Sequence, residues 1–221
     1  MDNLTVNLSS STSANITLRN AASFINGSNL NLTTAGNQIT VSSRASANST
    51  GSISLTGRNI VVTGNISTEA GDISLTGNNG TYRTGTFDGV QISGAAVNVN
   101  TTSGNITIDG RGGSTTTRAG VNLTSSKVEA DGLGSVTISG ISGNWASAAS
   151  DFFGSIATVT TSSGSLTFNG TSCGTGSTSC GVYLRQANIS ATGVGNLTIT
   201  STAANGTTNT SGINLIKGQF A

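Results

Sequence analysis

The chain has 221 residues with 31 Gly, no Pro and no His, and its formal net charge is +1. Charged residues make up 8% and aromatic residues 4% of the chain, whereas an ordinary globular domain contains about a quarter charged residues. The sequence therefore has no basic cluster for nucleic acid, no apolar run near the roughly 20 residues that span a bilayer, and no Ser/His or Cys/His catalytic pair.

The first quarter of the chain predicts short β-strands with irregular spacing. ANITLRN from Ala14, NLNLTT from Asn29 and QITVSS from Gln38 alternate apolar and polar residues, which is the period of a strand with one buried face. A compact unit follows at residues 51–77, where SISLTG, NIVVTG, NISTEAG and DISLTG succeed one another. Three strands within 20 residues indicate one turn of a three-sided coil with tight corners.

Beyond this unit, the same pattern returns about every 30 residues. The second residue of the last strand in each unit recurs at steps of 20, 33, 30, 30 and 31 residues, at Ile53, Ile73, Ile106, Val136, Leu166 and Leu197. Copies of the longer unit begin at Gly89, Gly120, Gly154, Gly181 and Gly212. Self-similarity at such a period is typical of a solenoid, in which each unit buries its apolar face against its neighbours.

The extra residues of the longer turns enter at one phase of the repeat, between the last strand of one turn and the first strand of the next. The inserted segments are GNNGTYRTGTFDG, GRGGSTTTRAG, GISGNWASAASDFFG, GTSCGTGSTSCG and STAANGTTNTSG. Insertions at a fixed phase stack along one edge of a solenoid. We therefore expect a ridge of loops or short hairpins, with one hairpin over TYRTGTF around Gly85.

These patterns predict an all-β fold, a right-handed parallel β-helix with three sides, ~20–31 residues per turn and extrahelical loops or hairpins stacked on one edge. We expect one β-helix segment over residues 1–221, with less regular turns at 1–50, the short-turn unit at 51–77 and turns of ~30 residues with inserted loops at 78–221. Roughly eight turns at about 4.8 Å each give a rod about 40 Å long. Neither end has the features of a cap, so we expect the chain to be a segment of a longer repeat protein.

Enzyme activity is not expected. Right-handed β-helices include polysaccharide lyases and glycosidases, which need clustered carboxylates. The acidic residues here are Asp2, Glu69, Asp72, Asp88, Asp109, Glu129, Asp131 and Asp151. Glu69 with Asp72 and Glu129 with Asp131 are the two close pairs, and we expect both at corners of the coil, where acidic residues are usually solvated. We therefore predict no catalytic site, no cofactor and no metal site.

The two cysteines, Cys173 and Cys180, flank GTGSTS within one inserted segment. In an oxidising compartment, such a pair closes its loop as a disulfide, which is our prediction. The alternative is a pair of free thiols in a cytosolic protein. Without His or further Cys, this spacing makes a poor metal site.

Aromatic and arginine residues concentrate in the inserted segments. The candidates for binding a receptor or glycan are Tyr82, Arg83, Phe87, Arg111, Arg118 and Trp145. Side chains of these types dominate binding hot spots and stack on sugars. Phe152 and Phe153 fall in the same set of segments, and for these two we favour the alternative that the rings cover the edge of the coil.

Asn-x-Ser/Thr triplets involve 16 of the 24 asparagines, which is about twice the number expected by chance in a chain with nearly a third Ser and Thr. Such triplets are acceptors for N-linked glycans. They also suit a β-helix, because Asn tolerates a corner and Thr can point outward from the following strand. Neither explanation excludes the other.

Several of these features together resemble large exported bacterial adhesins. They are the DISLTG-type turns, the GVxL…GNITIxG turns, the absence of Pro and His, and the density of Asn-x-Ser/Thr triplets. Over nearly its whole length, the chain is similar to filamentous haemagglutinin and, more closely, to the high-molecular-weight adhesins of two-partner secretion systems.

This resemblance implies secretion of a parent protein through an outer-membrane secretion partner, residence at the Gram-negative cell surface, and binding to host cells or matrix. In the high-molecular-weight group, a cytoplasmic N-glycosyltransferase places hexoses on Asn-x-Ser/Thr sites. By resemblance, the acceptor candidates are Asn105, Asn122, Asn188 and Asn196. The family's N-terminal secretion domain is not recognisable in this sequence, so the export route is an expectation for the parent protein.

We therefore expect a segment of a secreted, cell-surface adhesin, in which a rigid β-helical shaft presents receptor- or glycan-binding loops, without nucleic acid binding or membrane insertion. One alternative is a structural spacer that binds nothing. The other is an ice-binding solenoid, because the last strand of each unit presents an outward polar ladder: Ser54/Thr56, Ser74/Thr76, Thr107/Asp109, Thr137/Ser139, Thr167/Asn169 and Thr198/Thr200. Flat ladders of outward Thr on β-solenoids bind ice, and Asp109 and Asn169 interrupt this one.

Overall fold

A computed structural model describes residues 4–8, 15–34, 36–78, 84–115, 118–143, 150–172, 180–202 and 211–220. Over these residues the chain contains strands and turns and no helix. The described part has 24 strands, numbered β1–β24 in chain order, in three parallel sheets of eight strands each. The chain visits the three sheets in strict rotation, so the prediction of a three-sided parallel β-solenoid is confirmed.

Each sheet contains every third strand. Sheet A contains β1 (Leu4–Leu8), β4 (Leu30–Thr34), β7 (Ile53–Gly57), β10 (Ile73–Gly77), β13 (Ile106–Arg111), β16 (Val136–Ile141), β19 (Leu166–Thr171) and β22 (Leu197–Thr202). Sheet B contains β2 (Ile16–Leu18), β5 (Gln38–Val41), β8 (Asn59–Val62), β11 (Val90–Ser93), β14 (Val121–Thr124), β17 (Ser150–Ser155), β20 (Cys180–Arg185) and β23 (Ser211–Ile216). Sheet C contains β3 (Ala22–Phe24), β6 (Ala45–Ala47), β9 (Ile66–Thr68), β12 (Asn98–Thr101), β15 (Lys127–Ala130), β18 (Thr158–Thr161), β21 (Asn188–Ala191) and β24 (Gln219–Phe220).

The residues that recur at the predicted repeat positions pair with one another in the strand register of sheet A. Ile53 pairs with Ile73, and Ile73 pairs with Ile106. The same column continues through Val136, Leu166 and Leu197. Equivalent residues of successive turns therefore lie directly above one another, about 4.8 Å apart.

Alternation along each strand separates the core from the surface. In β13, Ile106 and Ile108 are fully buried, whereas Thr107 between them is exposed. The buried positions of all three sheets form one continuous stack of aliphatic side chains, with Phe168 the largest fully buried residue of the described part. Burial of each such side chain contributes about 1.5–3 kcal/mol. This stack of apolar side chains, repeated at every turn, holds neighbouring turns together.

The sequence prediction is wrong at the turn that contains Phe152 and Phe153. We assigned both residues to an inserted loop and began this repeat at Gly154, but all three lie in strand β17. Phe152 pairs with Val121, and Gly154 pairs with Leu123. Gly154 resembles the glycine that precedes the first strand of the other turns, yet it lies inside the strand at a position that is leucine in the turn before.

A column of short polar side chains lies at the corner between sheets C and A, directly before the sheet A strands. We call it the corner ladder, and its members are Asn29, Ser52, Asp72, Asn105, Ser135, Ser165 and Asn196. Each of the first six side chains accepts a hydrogen bond from the backbone N–H of the next member, over 2.7–3.3 Å. The corner ladder thereby supplies hydrogen-bond acceptors to backbone N–H groups at the bend between sheets C and A.

Candidate functional site: the loop edge

The insertions all join a sheet A strand to the following sheet B strand, as the sequence predicted. We call this side of the solenoid the loop edge, and it comprises residues 78–89, 112–120, 142–149, 172–179 and 203–210. Its described part is residues 78, 84–89, 112–115, 118–120, 142, 143 and 172. Tyr82, Arg83 and Trp145 lie outside the described residues, as does part of the hairpin expected around Gly85, so these stay predictions.

Within the described part, two successive insertions bond to each other and form a ridge. The N–H of Gly113 donates to the carbonyl of Phe87 (2.8 Å), and the N–H of Thr115 donates to the carbonyl of Gly85 (3.2 Å). The hydroxyl oxygens of Thr86 and Thr115 are 2.7 Å apart. Residues 85–87 of one turn therefore run alongside residues 113–115 of the next, which extends the hydrogen bonding of the solenoid into its loops.

Phe87 lies inside this ridge. Its side chain is buried, and the guanidinium of Arg58 lies over its ring at 5.0 Å from the centroid. Gly113 permits this packing, because a Cβ at that position would lie 2.2 Å from the carbonyl oxygen of Gly85 and 3.0 Å from the Phe87 ring. These contacts favour a structural role for Phe87, and its role in binding stays a prediction.

Arg118 lies on the loop edge, and Arg111, which the sequence placed in an insertion, ends β13 at the border of this edge; both residues are half-buried. The carbonyl of Arg111 accepts a hydrogen bond from Nδ2 of Asn78 (3.2 Å). The carbonyl of Arg118 accepts a hydrogen bond from the N–H of Gly143 (3.2 Å). The backbone of each arginine is thus held by the insertion of a neighbouring turn, which gives both residues defined positions at this edge.

Asp88 is an acidic residue of the loop edge, and its carboxylate is used within the fold. Oδ1 accepts a hydrogen bond from the N–H of Ala119 (3.0 Å), and Oδ2 accepts one from Nδ2 of Asn122 (2.8 Å). The sequence placed Asp88 in an insertion but did not predict these contacts, and it did not predict that Arg58 lies beside this edge. Their positions in the repeat could have indicated this location, because Arg58 directly follows a sheet A strand and Asp88 closely precedes a sheet B strand.

Of the two cysteines that we predict to form a disulfide, the structure describes Cys180. Cys180 begins β20, is buried, and pairs in register with Ser150 and Ser211 of the neighbouring strands. Cys173 lies outside the described residues. The pairing of the two cysteines therefore stays a prediction.

The four glycan acceptor candidates differ in how far the fold uses their side chains. Asn122 is half-buried and, besides its bond to Asp88, accepts a hydrogen bond from the Thr124 hydroxyl (2.9 Å). Asn105 is exposed, but it belongs to the corner ladder. Asn188 and Asn196 are exposed, and within the described ranges neither side chain has a protein hydrogen-bond partner. Asn188 and Asn196 are therefore the two candidates that are exposed and whose side-chain amides the described fold does not use.

Two further findings concern the described part of the chain as a whole. Its residues contain no group of three or more His, Cys, Asp or Glu that could hold a metal ion. They also form no helix of the length and apolarity needed to cross a membrane.

No protein-family model, curated protein or solved structure matches the chain.

Proposed function

We propose that the chain is a segment of a secreted bacterial surface adhesin, in which it acts as a rigid β-helical shaft and presents the loop edge to a host receptor, glycan or matrix. The observation that supports this proposal is the unbroken register of sheet A. From Leu4 to Leu197, one column of residues passes through eight strands without a shift. Eight turns at about 4.8 Å give a rod about 40 Å long.

Stiffness follows from this register. Most turns are hydrogen bonded to the turns before and after them in all three sheets, so bending would stretch one sheet and compress the other two. The apolar stack in the interior also resists opening, because close-packed cores tolerate few voids. The three sheets and their apolar interior thus keep the same arrangement from turn to turn.

The loop edge is the part of the surface on which a receptor site is best placed. The strands and corners repeat with little change, whereas the insertions differ in length and composition from turn to turn. Variable loops on a rigid frame are a common arrangement for binding sites. Arg118 lies on this edge and Arg111 borders it, and Tyr82, Arg83 and Trp145 belong to neighbouring insertions.

Export and modification form part of the proposal for the parent protein. It would use an outer-membrane secretion partner, and an N-glycosyltransferase would act on its Asn-x-Ser/Thr sites. The exposed side chains of Asn188 and Asn196 support them as acceptors in preference to Asn122, whose amide is bonded to Asp88. Mass spectrometry of the protein isolated from its native cell surface would identify the occupied sites.

Binding of the purified chain to epithelial cells and to a glycan array tests the receptor site. The test variant is Tyr82→Ala combined with Trp145→Ala, and the control is Tyr183→Ala, which removes the other tyrosine from sheet B. We expect the wild-type chain and the control to bind, and the double variant to lose binding while its circular dichroism spectrum stays unchanged.

Different results would exclude the two parts of the proposal, the rigid shaft and the receptor site. If the folded wild-type chain binds no cell and no glycan, the receptor site is excluded and the chain is a spacer. If small-angle scattering gives a shape that is not a short rod, the shaft is excluded as well. Equal binding by the double variant and the control would move the receptor site away from the insertions.

A further inference from the structure

The outer face of sheet A presents two straight columns of short polar side chains. The first column is Asn31, Ser54, Ser74, Thr107, Thr137, Thr167 and Thr198. The second column is Thr33, Thr56, Thr76, Asp109, Ser139, Asn169 and Thr200. We call this surface the hydroxyl face.

The hydroxyl face is a nearly rectangular array. Neighbours within a column are about 4.8 Å apart because they belong to adjacent strands, and the two columns are about 6.7 Å apart because they are two residues apart along each strand. The strand register sets both spacings. Threonine adds further order, since its branched side chain has few rotamers. The outer groups are thus held in a fixed lattice before anything binds.

The Ser and Thr side chains of this face point outward from the sheet. Among the described residues, Nδ2 of Asn169 donates a hydrogen bond to Oγ of Ser139 (3.3 Å), and Asp109 also has an interaction partner. Hydroxyls at the corners behave differently, because Thr34 and Thr68 each donate to a carbonyl at 2.6 Å. A Ser or Thr hydroxyl can make about three hydrogen bonds, so the face offers regularly spaced sites for ordered water.

The other two faces lack this regularity. On sheet B, outward side chains bond to each other, as Gln38 does to Thr40 (2.7 Å). Sheet B also presents the half-buried Tyr183. Sheet C contains the ion pair of Lys127 and Glu129 at 2.6 Å. The longer strands of sheet A add a third outward column at their ends, which is Arg111, Ile141, Thr171 and Thr202. In the two columns of the hydroxyl face, small and mostly uncharged side chains dominate.

We propose that the hydroxyl face binds ice. The spacing of its hydroxyl groups in both directions is of the order of the repeat of water oxygens on a face of hexagonal ice, so bound waters can belong to the crystal lattice. Four consecutive turns place threonine in the first column, from Thr107 to Thr198, and three do so in the second, from Thr33 to Thr76. Their methyl groups exclude loosely held water while their hydroxyls bond to the lattice. This site is separate from the loop edge and does not depend on the adhesin proposal.

Asp109 is the defect in the array. It lies between Thr76 and Ser139 in the second column, where a carboxyl group interrupts the run of hydroxyl side chains. Replacement by threonine would extend the threonine run of that column to a fourth turn. Asp109→Thr is therefore a variant that should gain activity, which a merely destabilising change would not do.

Thermal hysteresis and ice-crystal shape, measured by nanolitre osmometry on the purified chain, test this proposal. Thr137→Tyr puts a bulky ring in the middle of the hydroxyl face, and Thr158→Tyr puts the same ring on the outer side of sheet C. We expect hysteresis and faceted crystals from the wild-type chain, an increase with Asp109→Thr, a loss with Thr137→Tyr and no change with Thr158→Tyr. Circular dichroism confirms that each variant is folded.

Three results would overturn the proposal. They are the absence of hysteresis and crystal shaping in both the wild-type chain and Asp109→Thr, equal activity of the two tyrosine variants, and adsorption of the chain to crystalline cellulose without any effect on ice. The last result would assign the hydroxyl face to a solid polysaccharide.

Discussion

The guanidinium of Arg58 lies over the ring of Phe87, 5.0 Å from its centroid, and this contact joins the short turn to the first insertion. A cation above an aromatic face contributes about 0.5–2 kcal/mol, depending on how far water is excluded. Phe87 is buried and Arg58 is half-buried, so the contact is partly shielded.

Arg58→Ala should therefore lower the free energy of unfolding by about 1 kcal/mol. Urea denaturation measures this change. Arg44→Ala is the matched control, since Arg44 is exposed and should leave stability unchanged. Equal effects of the two substitutions would show that the contact with Phe87 contributes nothing.

The corner ladder gives a second prediction. Ser135→Ala removes the hydroxyl that accepts a hydrogen bond from the N–H of Ser165 (3.1 Å). We expect a loss of about 1 kcal/mol in the free energy of unfolding, because a backbone donor at a half-buried bend loses its acceptor. Faster hydrogen exchange at the Ser165 amide should accompany this loss. Ser74→Ala makes the same chemical change on the hydroxyl face, and the prediction fails if it destabilises the chain as much.

The third prediction concerns backbone strain at Ile156. The residue directly after a sheet B strand has a positive φ in several turns, at Ser125 (49°), Ile156 (54°), Gln186 (50°) and Lys217 (53°). A β-branched residue is disfavoured there by sterics, and the left-handed conformation costs about 1–2 kcal/mol. The Ile156 side chain is 58% exposed, so its removal sacrifices little apolar burial.

Ile156→Asn should consequently raise the free energy of unfolding by about 1 kcal/mol, since asparagine tolerates this conformation. Thermal or urea denaturation tests this expectation. Gln186→Asn is the control, and it should give a smaller gain because glutamine is not β-branched. A destabilised Ile156→Asn chain would mean that the isoleucine makes contacts worth more than the strain.

The fourth prediction is a pH dependence due to Asp109. Partial burial raises the pKa of its carboxyl above the ordinary value. Between the ordinary and the raised value, the folded chain binds a proton that the unfolded chain has lost. The stabilisation from this group is therefore fully present below the ordinary value and is lost as the pH rises through the raised pKa.

Asp109→Asn should remove this loss, so the variant should be more stable than the wild type at neutral pH and gain less on acidification. The free energy of unfolding in urea, measured for both chains from acidic to neutral pH, gives the difference. A wild-type chain that gains stability relative to the variant as the pH rises would contradict the assignment.

Sheet A was predictable because each of its strands contrasts large aliphatic residues with Ser and Thr. Ile106 and Ile108 face inward and Thr107 faces outward, and the same contrast recurs in most turns. Strands β3 and β6 were missed, because ASF and ASA are only three residues long and alanine is a weak signal of burial. In β17, glycine at a position that is leucine in the neighbouring turns shifted the predicted start of the repeat to Gly154.

The details of the loop edge could not be predicted, for a different reason. Arg58 and Phe87 belong to different turns and follow no period, so only the fold brings them together. The corner ladder mixes Asn, Ser and Asp, which share acceptor oxygens but not identity, and its members align only once the register is known. Sequence periodicity therefore predicts the residues that recur in every turn, and it does not predict a contact that occurs once, such as that of Arg58 with Phe87.

The in-register stacking also bears on how such a chain can change its length. Val136 and Leu166 occupy equivalent positions of adjacent turns. Duplication or excision of the 30 residues from one to the other would insert or remove one layer while keeping the strand register of the layers on either side. Genetic recombination between repeats can therefore change the length of the solenoid in steps of about 4.8 Å, one turn at a time.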